Sequence, residues 1–254
     1  MRGSYRLSAL GAALAFVLLL ATPAAALKLL PFKAAIVVSP SSAAAKGGAV
    51  QVFRLENNTN GAVAVEVYAE TWDVDADGVE TNQPAKNLFS IFPAQLVVPP
   101  RESRAVRVVW LGDAPAREKA FRLVAAQLPV DLKDAAADGA AVRFLLRFKA
   151  ALYIRPAQEV KSDIRAETAE ILPDGRLRLT LHNRGNGHAL LRRPRLTLVL
   201  AAGNKMELPE SALKPLEGEN IHAGAQRLFT LAGLPSLPRS AAIARAEFAY
   251  DGMF

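Results

Sequence analysis

The chain has 254 residues, no cysteine, and a formal net charge of +7. The missing cysteine excludes disulfides, thiolate metal sites and cysteine nucleophiles, and the chain is long enough to build its cores without such staples. The basic excess is modest and describes a soluble surface with a local basic strip rather than a nucleic-acid-binding protein.

The first 26 residues read as a secretory signal peptide. Arg2 and Arg6 form a short basic end, an apolar run covers about Leu10 to Ala21, and the small residues Ala24-Ala25-Ala26 follow. The apolar run is shorter than the roughly 20 residues that span a bilayer. Cleavage after Ala26 predicts an exported chain of net charge +5, in a compartment where nucleic acid is no partner.

From there the sequence predicts short strands separated by turn chemistry. They are Ala34–Ser39, Ala49–Glu56, Ala62–Trp72, Leu88–Val98, Ser103–Trp110, Ala120–Leu128 and Val142–Ile154. In Ala62–Trp72, Val63, Val65, Val67 and Ala69 alternate with Glu66, Tyr68, Glu70 and Trp72, the mark of a half-buried strand. Turns fall at Asn57-Asn58-Thr59-Asn60-Gly61, Asp77-Gly78 and Pro99-Pro100. Seven strands at this spacing predict an immunoglobulin-type sandwich.

The last of them, AVRFLLRFKAALYIRP at 141–156, has an unbroken apolar series of Val142, Phe144, Leu146, Phe148, Ala150, Leu152 and Ile154. Phe144, Leu145, Phe148, Ala151 and Leu152 also fit helical spacing. The absence of a cap and the neighbouring strands favour a strand. After Arg155-Pro156 a second, smaller series begins near Asp163, with strands at Arg176–His182, Arg195–Ala201, Gln226–Leu231 and Ala242–Tyr250. The sequence thus predicts an all-β chain of two sandwich domains, residues 27–157 and 158–254.

Catalytic and metal motifs are lacking. Asp73, Asp75, Asp77 and Gly78 imitate the start of a calcium-binding loop, but the twelfth position is Pro84, so an acidic hairpin turn is expected. His182, His188 and His222 are expected as isolated surface or turn residues, with no metal. No nucleophile elbow, phosphate loop or zinc-protease helix occurs, and two distant carboxylates meeting in a glycosidase cleft stay possible only in principle.

Several segments together resemble the periplasmic chaperones of chaperone–usher pilus assembly, in particular their divergent, non-enteric members. They are LENNTN (55–60), FPAQLVVPPRESRAVRVVW (92–110), REKAFRLVAAQLP (117–129), FKAALYIRP (148–156) and LTLHNRGNGHALL (179–191), in order over about 220 residues. The resemblance implies two immunoglobulin-like domains in a boomerang with a cleft between them, no enzymatic activity and no cofactor. It implies a periplasmic protein whose partners are pilin-like subunits and an outer-membrane usher. Its seventh strand would complete the open core of a subunit by donor-strand complementation. By matching, the donor residues are Val142, Phe144, Leu146 and Phe148. The alternative for that face is that all of it is core.

The resemblance also implies a basic pair that holds the subunit's C-terminal carboxylate. The matching positions are Ala151 and, loosely, Ser42, so the usual pair is missing. Arg147 and Lys149 are the nearest replacements and Lys33 a weaker one. Glu118 and Arg155 match an acid and an arginine of an interdomain salt bridge, whose third member would be an acid of the second domain, Asp251 or Glu247. A secreted β-sandwich adhesin or surface structural protein is the alternative reading of the whole chain.

Overall fold

The structure, a computed structural model, describes residues 27–41, 49–130, 145–232 and 241–253. The proposed signal peptide and the donor positions Val142 and Phe144 lie outside the described residues, as does Ser42. Among the described residues, no helix is long and apolar enough to cross a membrane.

The first unit is a sandwich. One sheet has the order β1 (Leu27–Leu30), β3 (Val50–Asn57), β9 (Ser103–Trp110), β7 (Phe89–Phe92). The facing sheet has the order β2 (Lys33–Val38), β11 (Arg147–Pro156), β10 (Lys119–Gln127), β4 (Val63–Thr71), β8 (Gln95–Val98). The alternation in the sequence explains the layering. Phe53, Leu55, Val65, Val67, Val106, Val108, Leu123, Leu152 and Ile154 point inward and are almost wholly buried in one core. Each contributes about 1.5–3 kcal/mol by leaving water.

The second unit pairs β12 (Ile164–Ile171), β13 (Leu177–Asn183) and β17 (Gln226–Leu231) in one sheet. The other is built on β14 (Ala189–Leu200), flanked by β15 (Lys205–Glu207), β16 (Asn220–Ile221) and β18 (Ile243–Met253). Leu177, Leu179, Leu181, Leu191, Leu196 and Leu198 form its separate core. A hairpin of β5 (Asp73–Val74) and β6 (Glu80–Thr81) occupies the acidic stretch, as expected of a turn.

Two expectations need correction. The stretch Leu88–Val98 is not one strand. The chain passes from β7 in one sheet to β8 in the other, because Pro93 lacks the N–H that a continuous ladder requires. Among the described residues the long strand covers Arg147–Pro156, so Leu145 and Leu146 lie outside it and it runs on past Ile154 through Pro156. Its far end is buried on both faces. Ala150, Leu152 and Ile154 enter the main core, while Ala151 and Tyr153 form a second cluster with Trp72.

Candidate functional site

The second cluster lies on the outer face of the five-stranded sheet. Strand register places Tyr68, Glu70 and Trp72, then Arg122, then Arg147, Lys149, Ala151 and Tyr153, then Lys33, all on that face. At one end the second unit covers it. Tyr153 stacks on His188 with ring centroids 4.0 Å apart and planes 3° apart, and Asn220 Nδ2 donates to its hydroxyl at 2.8 Å. Trp72 meets His222 edge-on at 4.6 Å. The Arg122 guanidinium lies 3.4 Å above the Trp72 ring.

Glu118 is the hub of this joint and only 6% exposed. Its carboxylate accepts from Arg155 Nε at 2.6 Å, from the His188 backbone N–H at 2.8 Å and from His188 Nδ1 at 2.6 Å. Its own N–H donates to the carbonyl of Asn186 at 2.8 Å. Glu118 and Arg155 both belong to the first unit, so the carboxylate's bonds across the joint come from His188.

The third partner is therefore not an acid. Asp251 pairs with Arg193 and Arg195, and Glu247 with Lys205 and Arg245, all within the second unit. Arg155 and the two N–H groups of His188 already satisfy the buried carboxylate, and a second acid beside it would only add repulsion. The expectation for the histidines also fails at His188, which is 1% exposed and belongs to the joint rather than to a turn surface. No cluster of metal ligands occurs among the described residues.

Protonation follows from burial. Burial alone would raise the Glu118 carboxyl, but the hydrogen bonds and charge of His188, with the Arg155 hydrogen bond, outweigh it and hold the group below its ordinary value of 4.5. Burial lowers His222 from 6.5 to about 4, and the charges of His188 and Arg122 push the same way against Glu118 and Asp73. Both groups bind protons more readily in the unfolded chain, so their stabilisation is complete above about pH 6.5 and falls away with acidification. His222 acts between pH 6.5 and 4, and Glu118 below 4.5. We expect thermal stability to drop between pH 7 and pH 4 by the equivalent of about 2–3 kcal/mol. His222→Phe should flatten the upper part of that profile in a thermal melt series; an unchanged slope would contradict the assignment.

The remaining candidates divide as follows. Arg147 bonds Tyr68 and Glu70, the latter at 3.1 Å, and Lys149 lies 3.8 Å from Glu70 and 3.6 Å from Glu80. Both thus have carboxylate partners within the chain. Lys33 sits beside Ala151 in register across the parallel β2–β11 ladder, is exposed, and has no carboxylate at salt-bridge distance among the described residues. Leu146 is 40% exposed and Leu145 47%, whereas Phe148 is partly buried against the main core.

Among the described residues the edge of β11 is only half covered. Its residues Ala151–Pro156 pair with β2. Among the described residues nothing pairs with Arg147–Ala150 on that side. The Ala151 N–H donates to Phe32 on the β2 side at 2.8 Å, and the Leu146 carbonyl accepts from Gln127 on the β10 side at 2.9 Å. By the two-residue period, the backbone groups of Arg147 and Lys149 face the open edge.

The residues that sequence reasoning missed are Trp72, Tyr153, His188, Asn220 and His222. A signal existed for Trp72 alone, which ends the outward series Glu66, Tyr68, Glu70 on a large apolar ring.

Solved structures with this fold include the class 5 fimbriae chaperone CfaA, matched over 89% of this chain and 98% of its own with 10% identity and a TM-score of 0.55. A chain of the Salmonella enterica SafA pilin–SafB chaperone complex matches over 91% and 98%, with 14% identity and a TM-score of 0.52. A chain of the CsuC–CsuE chaperone–tip subunit pre-assembly complex of Acinetobacter baumannii archaic chaperone–usher pili matches over 81% and 90%, with 14% identity and a TM-score of 0.51. At these identities the likeness is one of fold: two immunoglobulin-like sandwiches. No curated protein sequence matches the chain. Residues 39–159 match the model for the N-terminal domain of PapD, described as a pili and flagellar-assembly chaperone. Over those residues the chain is similar to the N-terminal domain of the pilus-assembly chaperones.

Proposed function

We propose that this chain acts in the periplasm, after loss of residues 1–26, as a non-enzymatic chaperone that caps pilin-like subunits by donor-strand complementation and delivers them to an outer-membrane usher. Its domains are residues 27–157 and 158–254. The observation that carries this reading is the half-open edge of β11. A client strand would add to the backbone groups of Arg147 and Lys149, while apolar side chains on the core-facing side enter the client's gap. Val142, Phe144 and Leu146 are assigned to that role. Phe148 is shared with the chaperone's own core.

For the client's C-terminal carboxylate we assign Lys33. A carboxylate taken out of water needs a cation that is not already neutralised. Lys33 supplies one beside Ala151, whereas Arg147 and Lys149 are already paired with Glu70 and Glu80.

Co-expression with a signal-bearing pilin-like subunit from the same source tests both assignments. Phe144→Asp with Leu146→Asp should leave a folded protein, by circular dichroism, that recovers less than about a tenth of the subunit, since burying even one unpaired charge costs several kcal/mol. Lys33→Gln should weaken capture about tenfold, equivalent to about 1.4 kcal/mol for a lost charge-assisted bond. Undiminished recovery in the double variant would sink the donor-strand assignment, and undiminished recovery with Lys33→Gln would sink the anchor.

A further inference from the structure

The hairpin of residues 73–81 links the second unit to the cationic face of the first. Its tip is held by Asp75, whose side chain accepts from the Val79 N–H at 2.8 Å and whose carbonyl accepts from Gly78 at 3.1 Å. The tip also meets the edge of the second unit, where the Leu228 N–H of β17 donates to the Ala76 carbonyl at 2.7 Å. Gly78 has φ near +91°, and a Cβ there would lie 2.5 Å from Arg227 Nη2, so the turn seats closely on the second unit. Arg227 is itself buried and paired with Glu219 at 2.9 Å.

The base of the hairpin carries Glu80 onto the cationic face. Its carboxylate takes two bonds from Arg122, at 2.8 and 3.4 Å, one from Asn82 at 3.0 Å, and lies 3.6 Å from Lys149. Arg122 flanks Ala151 from the β10 side, as Lys33 does from the β2 side. Without Glu80, Arg122 would have no carboxylate partner among the described residues, and Lys149 would keep Glu70 only, at 3.8 Å.

We propose that Glu80 is an internal counter-anion: in the free protein it neutralises Arg122 and Lys149, and a carboxylate arriving over Ala151 has to compete with it. The competition with a client carboxylate rests on the chaperone reading; the masking of the two cations does not. Because the same hairpin holds β17, displacement of Glu80 would also loosen the strap to the second unit. Arg122 holds the Glu80 carboxyl down to about 2, so the group stays ionised throughout the physiological range.

Glu80→Gln tests this in a Trp110→Phe background, where Trp72 is the remaining tryptophan. Arg122 lies on the Trp72 ring, so fluorescence quenching by iodide reports anions drawn to the freed cations. The iodide quenching constant should rise at least about twofold, and fall back in high salt, while that of neutral acrylamide stays constant. An unchanged iodide constant, or an equal rise for both quenchers, would overturn the masking role. Hydrogen exchange at Leu228 should accelerate about tenfold, and an unchanged rate would overturn the link to the second unit. With the co-expressed subunit, Glu80→Gln should recover more client than the wild type, and equal or lower recovery would overturn the competition. If the wild type recovers none, the chaperone reading fails while the iodide result still decides the masking role.

Discussion

Replacing Glu118 with alanine is expected to destabilise the chain by about 3–5 kcal/mol, the usual cost of removing one member of a buried ion pair. The reason is what it leaves behind. His188 is 2% exposed at its side chain and Arg155 21%, and both lose their carboxylate acceptor. Water cannot reach His188 to replace it without opening the joint. The His188 backbone N–H loses its bond to that carboxylate by the same change. Glu118→Gln should cost less, because an amide of the same shape still offers one oxygen to His188, although its NH₂ then opposes Arg155. Urea unfolding followed separately by probes in each unit measures the result. In the wild type the two units should unfold together; in Glu118→Ala the transitions should separate, with the second unit opening first. A coincident pair of transitions and a loss below about 1 kcal/mol would show that the joint is held by the Trp72–His222 and Tyr153–His188 contacts alone.

Much of this architecture is legible in the sequence because strand formation depends on a local pattern. The alternation of Val63, Val65, Val67 and Ala69 specifies the inward face of β4, and all four are buried. The turns at Asn57–Gly61 and Asp77-Gly78 fall between strands as their chemistry demands. What alternation cannot give is which outward residues a second unit will cover. Ala151 and Tyr153 have the periodicity of solvent-facing positions, yet they are 9% and 1% exposed. His188 reads as a turn residue because it follows Gly185-Asn186-Gly187; its partner Glu118 is 70 residues away. Charge pairing has the same difficulty. Arg147 and Lys149 look like free cations until the register of β4 and the 73–81 hairpin bring Glu70 and Glu80 beside them. Long-range register, not local propensity, decides which cations remain available.

Asn183→Leu is expected to have an effect of similar size, at least about 3 kcal/mol, although no charge is involved. The side chain is fully buried, and its amide makes four bonds to the backbone. Nδ2 donates to the carbonyls of Gly187 at 2.7 Å and Ile221 at 3.0 Å, and Oδ1 accepts from the N–H groups of Asp163 and Gly185, both at 3.1 Å. Leucine fills comparable volume but leaves four polar groups to find new partners, each costing about 1–3 kcal/mol where water is excluded. The same device stands at the end of β3. Asn57 is 1% exposed, donates to Gly61, Val98 and Pro99, and accepts from the N–H and hydroxyl of Thr59. Asn-Asn-Thr-Asn-Gly and Asn-Arg-Gly-Asn-Gly thus encode one latch twice, an asparagine tying its strand end to the glycine four residues on. The second latch has the further task of presenting Asn186 and His188 to Glu118. Asn183→Leu should therefore weaken the joint as well as its own domain, which Asn57→Leu should not. Tyr153 is the reporter, since its phenol rests on His188 and Asn220, and burial in the joint pushes its ionisation up to about 12 against the lowering effect of the Asn220 hydrogen bond. In Asn183→Leu at a temperature where the protein is still folded, the Tyr153 titration, followed in the ultraviolet against a Tyr153→Phe control, should move back towards 10. A titration that stays near 12 would separate the latch from the joint.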